Sequence, residues 1–305
     1  MALSPETAAL MAEFAKSEGV PLEQMSVAEA RKLSRDLTSL GLPAVPVARS
    51  EDVTLPVDGA SIMVRVLTPL SAPRGVLLFV HGGGWVIGSV DEWTALGTRL
   101  AAATQCIVVL PEYRLAPEHR FPVPVDDCWA ALQWAARTYD LPLLVGGDSA
   151  GGNLAAVLAL RARDQGAPRL AGQCLIYPVT DYEPARPSFV AADNQQILTA
   201  AGMLWFWQHY VEAPDGRYHA DASPLRAGSL AGLPPTYLLT AEHDVLRDEG
   251  RAFGAALSGQ GNDLVHEDFA GETHGFLTLG NALPAAGRAI DRIGAWSRQV
   301  LSAPR

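Results

Sequence analysis

The stretch GGDSAGGN, Gly146 to Asn153, places one serine among four glycines at the junction of two apolar segments. The segment before it, LPLLV, has the length and composition of a buried strand. The segment after it, LAAVLALRA, has the length and composition of a helix. Ser149 is therefore predicted to lie on a tight strand-to-helix turn. The glycines fit such a turn, because a Cβ on either side would clash where strand and helix approach each other.

Within this turn, Gly147 to Gly151 has the pattern G-x-S-x-G, which is typical of a nucleophilic serine raised above the C-terminal edge of a sheet. The helix that begins there would offer backbone N–H groups to an oxyanion. Two alternatives are a glycine-rich turn without chemistry and a phosphate-binding loop. The second would carry a lysine after the glycines, and no basic residue occurs there before Arg161.

Short apolar runs alternate with longer segments of helical spacing from Gly75 onward. The runs are GVLLFV, CIVVL, LPLLV, GQCLIYPV, PTYLLT and LVHEDF. Apolar strands alternating with helices predict a largely parallel sheet that is covered on both faces. Before them, DVTLPVDGASIMVRVLTP alternates around Asp58 and Gly59, which predicts an antiparallel hairpin.

Two segments lie outside this alternation. The first forty residues predict two helices, the second of them capped by Ser26 with Glu29 three residues later. The stretch from Asp181 to Arg226 is long and contains the helix-like piece ILTAAGMLWFWQHY. We expect it to form an insertion above the sheet.

A serine nucleophile needs donors for the oxyanion, and HGGGW, His81 to Trp85, follows the strand GVLLFV. Consecutive glycines let backbone N–H groups turn toward one point, where each donor typically contributes about 3 kcal/mol. The candidate donors are the N–H groups of Gly83, Gly84 and Ala150. HGGG taken alone is also compatible with a flexible loop.

The base is expected to be a histidine oriented by a carboxylate, in the chain order Ser, Asp, His. Of the seven histidines, His274 fits best, because GETHGF is a glycine-flanked loop directly after the strand LVHEDF. Asp244 directly follows the strand PTYLLT, so its carboxylate is expected at the same rim as Ser149. Four other carboxylates fit this position less well: Glu242, Asp248, Asp263 and Asp268.

Composition limits the classes of partner. The chain has 305 residues, of which 23 are basic and 33 acidic, for a formal net charge of −10. This charge argues against binding to nucleic acid or to an anionic membrane, both of which require basic patches. We also expect no membrane span, since no apolar run approaches roughly 18 residues.

The cysteines and the N-terminal residues indicate in which cellular compartment the protein is expected. Cys106, Cys128 and Cys174 are odd in number and widely spaced, so they suggest neither a disulfide framework nor a metal site. MALSPETAALMAEFAKSEGV lacks the basic start and apolar core of a secretory signal. Reduced thiols in a cytoplasmic protein are the resulting expectation.

Five motifs together resemble those of a known family, and they occur in the order HGGGW, YRLAPEHRFP, GDSAGG, DVLRDEG and HGF. The chain resembles the bacterial hormone-sensitive-lipase-like carboxylesterases over nearly its whole length. The resemblance implies the α/β-hydrolase fold, a mostly parallel central sheet of about eight strands flanked by helices, with a helical cap. It also implies a catalytic triad of Ser149, Asp244 and His274.

The same resemblance implies how the chain is divided. Residues 1–45 and 181–226 would form the cap, and residues 46–180 and 227–305 the catalytic domain. It further implies an oxyanion hole from the three N–H groups named above, with no cofactor and no metal, and it is compatible with a homodimer. Val245 departs from the family, in which many members have proline after the aspartate, but the carboxylate is retained.

The expected function is hydrolysis of small-molecule esters with short-to-medium acyl chains, through an acyl-enzyme intermediate. One alternative is an arylamide or formamide hydrolase that uses the same triad. A second is a non-catalytic receptor, as in the plant gibberellin receptors, which resemble this family but lack the triad histidine. The presence of His274 argues against the receptor.

An apolar pocket is expected beside the serine, roofed by the insertion and the first helix. Candidate lining residues are Trp85, Met203, Trp205, Phe206, Trp207 and Phe276, with Met11 and Phe14 of the first helix. The alternative is that most of them pack the cap against the core.

Two charged features are given no catalytic role. Glu118, His119 and Arg120 are expected to order their loop by pairing rather than by contact with substrate. Asp148, inside the serine turn, is assigned no part in the chemistry.

Overall fold

In the computed structural model, which describes residues 2–16 and 19–303, the strands form one eight-stranded sheet in the order β1-β2-β4-β3-β5-β6-β7-β8. The strands are β1 (Arg49–Val57), β2 (Ala60–Thr68), β3 (Gly75–Val80), β4 (Cys106–Pro111), β5 (Leu143–Asp148), β6 (Leu170–Ile176), β7 (Thr236–His243) and β8 (Leu264–Thr273). β1 and β2 form the predicted antiparallel hairpin, β2 is antiparallel to β4, and every later pair is parallel. The mostly parallel sheet expected from the sequence is confirmed.

Helices connect the strands and cover the sheet. They are α1 (Pro5–Lys16), α2 (Val27–Leu37), α3 (Val90–Thr104), α4 (Val123–Thr138), α5 (Ala150–Gln165), α6 (Pro187–Val190), α7 (Ala200–Tyr210), α8 (Arg247–Gly259) and α9 (Ala285–Ser302). Met1, Ser17, Glu18, Pro304 and Arg305 belong to the predicted cap and catalytic ranges but lie outside the described residues.

The central strands are buried on both faces, and their side chains alternate between two cores. In β3, Val76, Leu78 and Val80 pack into a core with α4, α5 and α8, whereas Leu77 and Phe79 pack with α3 and α9. The period of two follows from the pleat of the strand. This double burial explains why the central strands are continuously apolar in sequence.

The β5–α5 junction is packed at backbone distance. A Cβ added at Gly151 would collide with the carbonyl oxygen of Val80 at the end of β3, and one at Gly147 would collide with the backbone of Gly151. The glycines therefore let α5 start directly against the ends of β3 and β5. The steric reason inferred from the sequence is confirmed at these two positions.

The long insertion after β6 is attached firmly at its base. The Asn153 side-chain amide donates to the carbonyl oxygens of Val179 (2.9 Å) and Ala222 (2.8 Å), which lie near its two ends. The buried Glu249 carboxylate of α8 accepts the Thr180 N–H at 2.7 Å. The helix expected within the insertion is α7, capped by the Thr199 hydroxyl.

The second N-terminal helix begins as the sequence indicated. The Ser26 hydroxyl accepts the Glu29 N–H at 3.3 Å, and the Glu29 carboxylate accepts the Ser26 N–H at 2.8 Å. This reciprocal capping box fixes the first residue of α2. None of the helices in the described residues is both long and apolar enough to cross a membrane.

A pair of glycine-to-alanine substitutions tests the backbone contact at the serine turn. Gly151→Ala is expected to lower the free energy of unfolding by about 2 kcal/mol or more, because the methyl group overpacks the end of β3. Gly287→Ala, in α9 where an added Cβ meets nothing within 4 Å, is expected to raise it by about 0.5–1 kcal/mol.

Urea unfolding of both variants beside the parent protein measures the difference. Equal effects of the two substitutions would contradict the proposed close packing, because both replace a helical glycine by the same residue.

Candidate active site

Ser149 lies on the turn between β5 and α5 with φ 55° and ψ −120°, a conformation that L-residues rarely adopt. Its N–H donates to the carbonyl oxygen of Ile176 at the end of β6 (2.9 Å). Its own carbonyl oxygen accepts the Asn153 N–H in the first turn of α5 (3.0 Å). The turn is thereby held between two strands and a helix, and it presents the hydroxyl at the C-terminal edge of the sheet.

His274 connects this hydroxyl to a buried carboxylate. Its Nε2 lies 2.9 Å from the Ser149 Oγ, and its Nδ1 lies 2.7 Å from Oδ2 of Asp244. Asp244 directly follows β7 and is 1% exposed, and its other oxygen accepts the Leu246 N–H at 2.9 Å. The structure thus brings together the three side chains that the sequence singled out, in one hydrogen-bonded series.

Three of the four rival carboxylates have other partners. Glu242 accepts the Gly271 N–H, Asp248 accepts the Ser188 N–H, and Asp268 bonds to Arg251. Asp244 is the carboxylate that contacts His274 in the described residues.

The loop after β3 faces the same hydroxyl. Gly83 and Gly84 have φ values of 98° and 56°, and the Gly83 carbonyl oxygen accepts the N–H groups of Val86 (3.1 Å) and Ile87 (2.9 Å). Within residues 2–16 and 19–303, the N–H groups of Gly83 and Gly84 have no protein acceptor. Ala150 occupies the first position of α5, where a backbone N–H has no acceptor within the helix.

Asp148 holds this loop in place through hydrogen bonds. Its Oδ1 accepts both the Gly82 N–H (3.0 Å) and the Trp93 indole N–H (2.8 Å). Burial raises the pKa of Asp148 to about 6, while these hydrogen bonds and the nearby His274 act in the opposite direction. Sequence reasoning gave Asp148 no role, because the variable position of G-x-S-x-G carries no signal about its partners.

His81, although adjacent, is not equipped to act as the base. It is buried against Tyr113, with ring centroids 4.3 Å apart, and its Nδ1 bonds to the Gly82 carbonyl oxygen at 2.8 Å. Burial lowers the pKa of His81 to about 4, which keeps the ring neutral. It packs beneath the glycine loop.

A cavity of about 260 Å³ opens beside Ser149 and His274. Its wall includes Met203 and Phe206 of α7, two of the expected lining residues. Tyr177, directly after β6, also lines it, with its ring centroid 4.8 Å from that of His274. The sequence offered no signal for Tyr177, because it reads as the end of a buried strand.

The roof of the cavity differs from the expectation at its N-terminal part. α2 supplies Ala30, Leu33, Ser34 and Leu37, whereas Met11 and Phe14 of α1 are not among the lining residues in the described part of the chain. The prediction that the hydrophobic face of α1 forms part of the roof is therefore wrong.

Four of the expected lining aromatics are not among the described residues that line the cavity, and for Trp85 and Trp207 the alternative, packing of the cap against the core, agrees with their contacts. Trp85 stacks on Tyr210 with centroids 4.1 Å apart, and Trp207 lies 4.8 Å from Trp85. Trp205 and Phe276 are likewise not among the described residues that line the cavity. Burial against other rings stabilises large apolar side chains such as those of Trp85 and Trp207.

Trp205 and Phe276 each have a specific ring partner. Trp205 contacts His209 of its own helix at 4.2 Å between centroids, and Phe276 stacks on Phe269 of β8 at 5.0 Å.

The charged loop after β4 attaches both parts of the roof. Glu118 pairs bidentately with Arg31 of α2, at 2.8 and 2.7 Å. Arg120 donates to the Gln208 carbonyl oxygen of α7 at 3.1 Å. The expected pairing is confirmed for Glu118 and Arg120, although their partners lie in the roof and not within the loop.

Metal ligation has no support in the part of the chain that the structure describes, where no group of three His, Cys, Asp or Glu side chains could hold an ion. Ser149 and His274 line the cavity together with Gly83 and Gly84 of the glycine loop.

Comparison with known proteins identifies the family. Residues 77–278 match the family model described as alpha/beta hydrolase fold. The carboxylesterase NlhH of Mycobacterium tuberculosis is 38% identical over 260 residues, which cover 81% of this chain and 82% of that protein. The chain belongs to the hormone-sensitive-lipase-like carboxylesterases of the α/β-hydrolase fold.

Two further ester hydrolases extend the similarity to nearly the whole chain. The ethyl acetate hydrolase of Pseudomonas putida is 33% identical over 309 residues, with 95% of this chain and 96% of that protein covered. A solved ester hydrolase from the metagenome of Lake Arreo superposes with a TM-score of 0.93 at 34% identity, covering 99% and 100% of the two chains.

Two substitutions of Asp148 test whether its hydrogen bonds hold the glycine loop. Asp148→Asn keeps an oxygen acceptor for both donors, so kcat for a p-nitrophenyl ester is expected to stay within about threefold. Asp148→Ala leaves two buried N–H groups unpaired and is expected to lower kcat at least about tenfold.

Steady-state kinetics of both variants, with circular dichroism as the folding control, makes the comparison. Full activity of the alanine variant, or equal impairment of the two, would contradict this role.

Proposed function

We propose that this carboxylic ester hydrolase acts by acyl transfer through Ser149, on esters with short-to-medium acyl chains. The observation that carries the proposal is the placement of the His274 ring, hydrogen-bonded to Ser149 through one nitrogen and to Asp244 through the other. This is the arrangement that a base needs in order to take a hydroxyl proton and remain oriented while it is charged.

In the first step, His274 Nε2 takes the Ser149 proton as Oγ attacks the ester carbonyl carbon. The tetrahedral intermediate collapses, the C–O bond to the alcohol breaks, and the alcohol leaves with the proton from His274. Water then attacks the acyl-enzyme, giving its proton to His274, which returns it to Ser149 Oγ as the acid is released. Asp244 keeps the Nδ1–H tautomer and stabilises the imidazolium in both steps.

The developing oxyanion would be bound by the N–H groups of Gly83, Gly84 and Ala150. Support comes from the positive φ values of the two glycines and from the position of Ala150 at the start of α5. Each such donor typically contributes about 3 kcal/mol, because it is already oriented before the charge develops.

Residues 1–45 and 181–226 would act as the cap that closes the site. α2 and α7 both line the cavity, and their attachments through Glu118 and Arg120 are consistent with one roof. A volume of about 260 Å³ is small for a ligand pocket and suits short-to-medium acyl groups. A relative of similar length is named as an ethyl acetate hydrolase, which agrees with small esters.

Esters are favoured over the arylamide alternative because the curated relatives described above are named for ester hydrolysis. The receptor alternative is disfavoured by the presence and hydrogen bonding of His274. A cytoplasmic location is supported by the three cysteines, Cys106, Cys128 and Cys174, which are all free and buried.

Hydrolysis of p-nitrophenyl esters from acetate to palmitate tests the nucleophile and the cavity together. The protein is expected to turn over the short and medium chains, with rates falling toward palmitate. Ser149→Ala is expected to lower kcat at least about ten-thousandfold on every ester, because it removes the hydroxyl that forms the acyl-enzyme.

The matched control is Ser297→Ala, which removes a buried serine hydroxyl from α9, away from the cavity. Its activity should equal that of the parent protein. Retained turnover in Ser149→Ala would refute the nucleophile, and a rate that rises steadily to palmitate would refute the proposed acyl range.

A further inference from the structure

The charged side chains on the cavity wall are mainly acidic. Glu92 and Asp148 both contribute to the lining, beside the Ser149 and His274 of the site. Apart from His274, no basic side chain is among the described residues that line the cavity. The remaining wall is largely apolar, so a charged substrate group that enters meets carboxylates and no fixed cation.

Glu92 lies in the first turn of α3, and hydroxyl groups hold its carboxylate. Ser89, the N-cap residue, donates to Oε1 at 2.8 Å, and Ser34 of the roof helix α2 donates to Oε2. In the described residues Glu92 takes part in no ion pair, so its charge is not compensated by a contacting cation.

The basic residues of α2 do not supply the missing cation. Arg31 is directed to Glu118 and to backbone carbonyl oxygens, Lys32 pairs with Asp36 at 2.6 Å, and Arg35 is exposed outside the lining. The roof therefore brings a serine hydroxyl to Glu92, whose carboxylate lines the cavity, and none of these three basic side chains contacts it.

We propose that Glu92 is a specificity residue that selects against esters carrying a free carboxylate and admits neutral and cationic esters. The proposal rests on the ester hydrolysis proposed above and names its substrate class more narrowly. An anionic substrate would lose its hydration on entry and would be repelled by Glu92 without gaining a partner. A cationic group loses hydration too, but it gains an opposite charge.

Three methyl esters of similar size separate charge from shape, with release of acid followed by pH-stat. Methyl isocaproate is neutral, monomethyl succinate replaces its terminal isopropyl group by a carboxylate, and methyl gamma-aminobutyrate carries a terminal ammonium. For the unmodified protein, kcat/KM for monomethyl succinate is expected to be about a hundredfold below that for methyl isocaproate. The ammonium ester is expected to lie within about tenfold of the neutral one.

Glu92→Gln removes the charge and keeps groups that can bond to both serine hydroxyls. It is expected to raise kcat/KM for monomethyl succinate about tenfold, to lower that of the ammonium ester, and to change that of the neutral ester less than about twofold. Asp91→Asn is the matched control. It removes a charge from the neighbouring residue, which pairs with Arg65, is largely exposed and does not line the cavity.

Equal effects of the two substitutions would overturn the proposal. They would show that the net negative charge of the protein, and not Glu92 in particular, repels the anionic ester. Equal kcat/KM of the unmodified protein for the anionic and neutral esters would overturn it without any variant. In that case the proposed ester hydrolysis would stand, whereas failure to hydrolyse any of the three esters would count against the proposed function itself.

Discussion

The backbone of Ser149 is held at a positive φ, and the rest of the site depends on this constraint. A non-glycine residue in such a conformation costs on the order of 1–3 kcal/mol, so the surroundings must compensate for it. Here the contacts of Gly147 and Gly151 with the ends of β3 and β5, and the bond from the Ser149 N–H to Ile176, fix the turn. As a result the hydroxyl, the start of α5 and the glycine loop after β3 all meet at one edge of the sheet.

A buried hydrogen bond positions the glycine loop, and contacts nearer the protein surface position the roof. Asp148, the residue before the serine, binds the loop through the Gly82 N–H, so a direct hydrogen bond joins the nucleophile turn to the loop. On the outside, Glu118 and Arg120 attach α2 and α7 to the loop after β4. One short segment after β4 therefore contacts both parts of the roof.

Much of the fold and the placement of the candidate catalytic side chains were predictable from the sequence, because both depend on local patterns. Buried strands of a parallel sheet are continuously apolar, and residues that follow them meet at one edge, which is why Ser149, Asp244 and His274 could be selected before the fold was known. The capping box at Ser26 located the start of α2 for the same reason, since its two hydrogen bonds join residues three apart.

What the sequence did not reveal depends on contacts between distant residues. The docking of α2 is set by Arg31 and Glu118, 87 positions apart, so nothing local distinguished α2 from α1 as the roof. An aromatic residue has the same composition signal whether it lines a cavity or packs in a core, which explains the wrong expectation for Trp85. The roles of Asp148 and Glu92 likewise depend on partners that only the folded chain brings near.

The most direct test of the account is covalent labelling with a p-nitrophenyl alkylphosphonate, which forms a stable adduct with a nucleophile activated for acyl transfer. We expect release of one equivalent of p-nitrophenol, loss of ester hydrolysis in proportion, and a single adduct on the peptide that contains Ser149. Inactivation with the adduct on another residue, or full occupancy of Ser149 with ester hydrolysis retained, would contradict the assignment of Ser149 as the nucleophile.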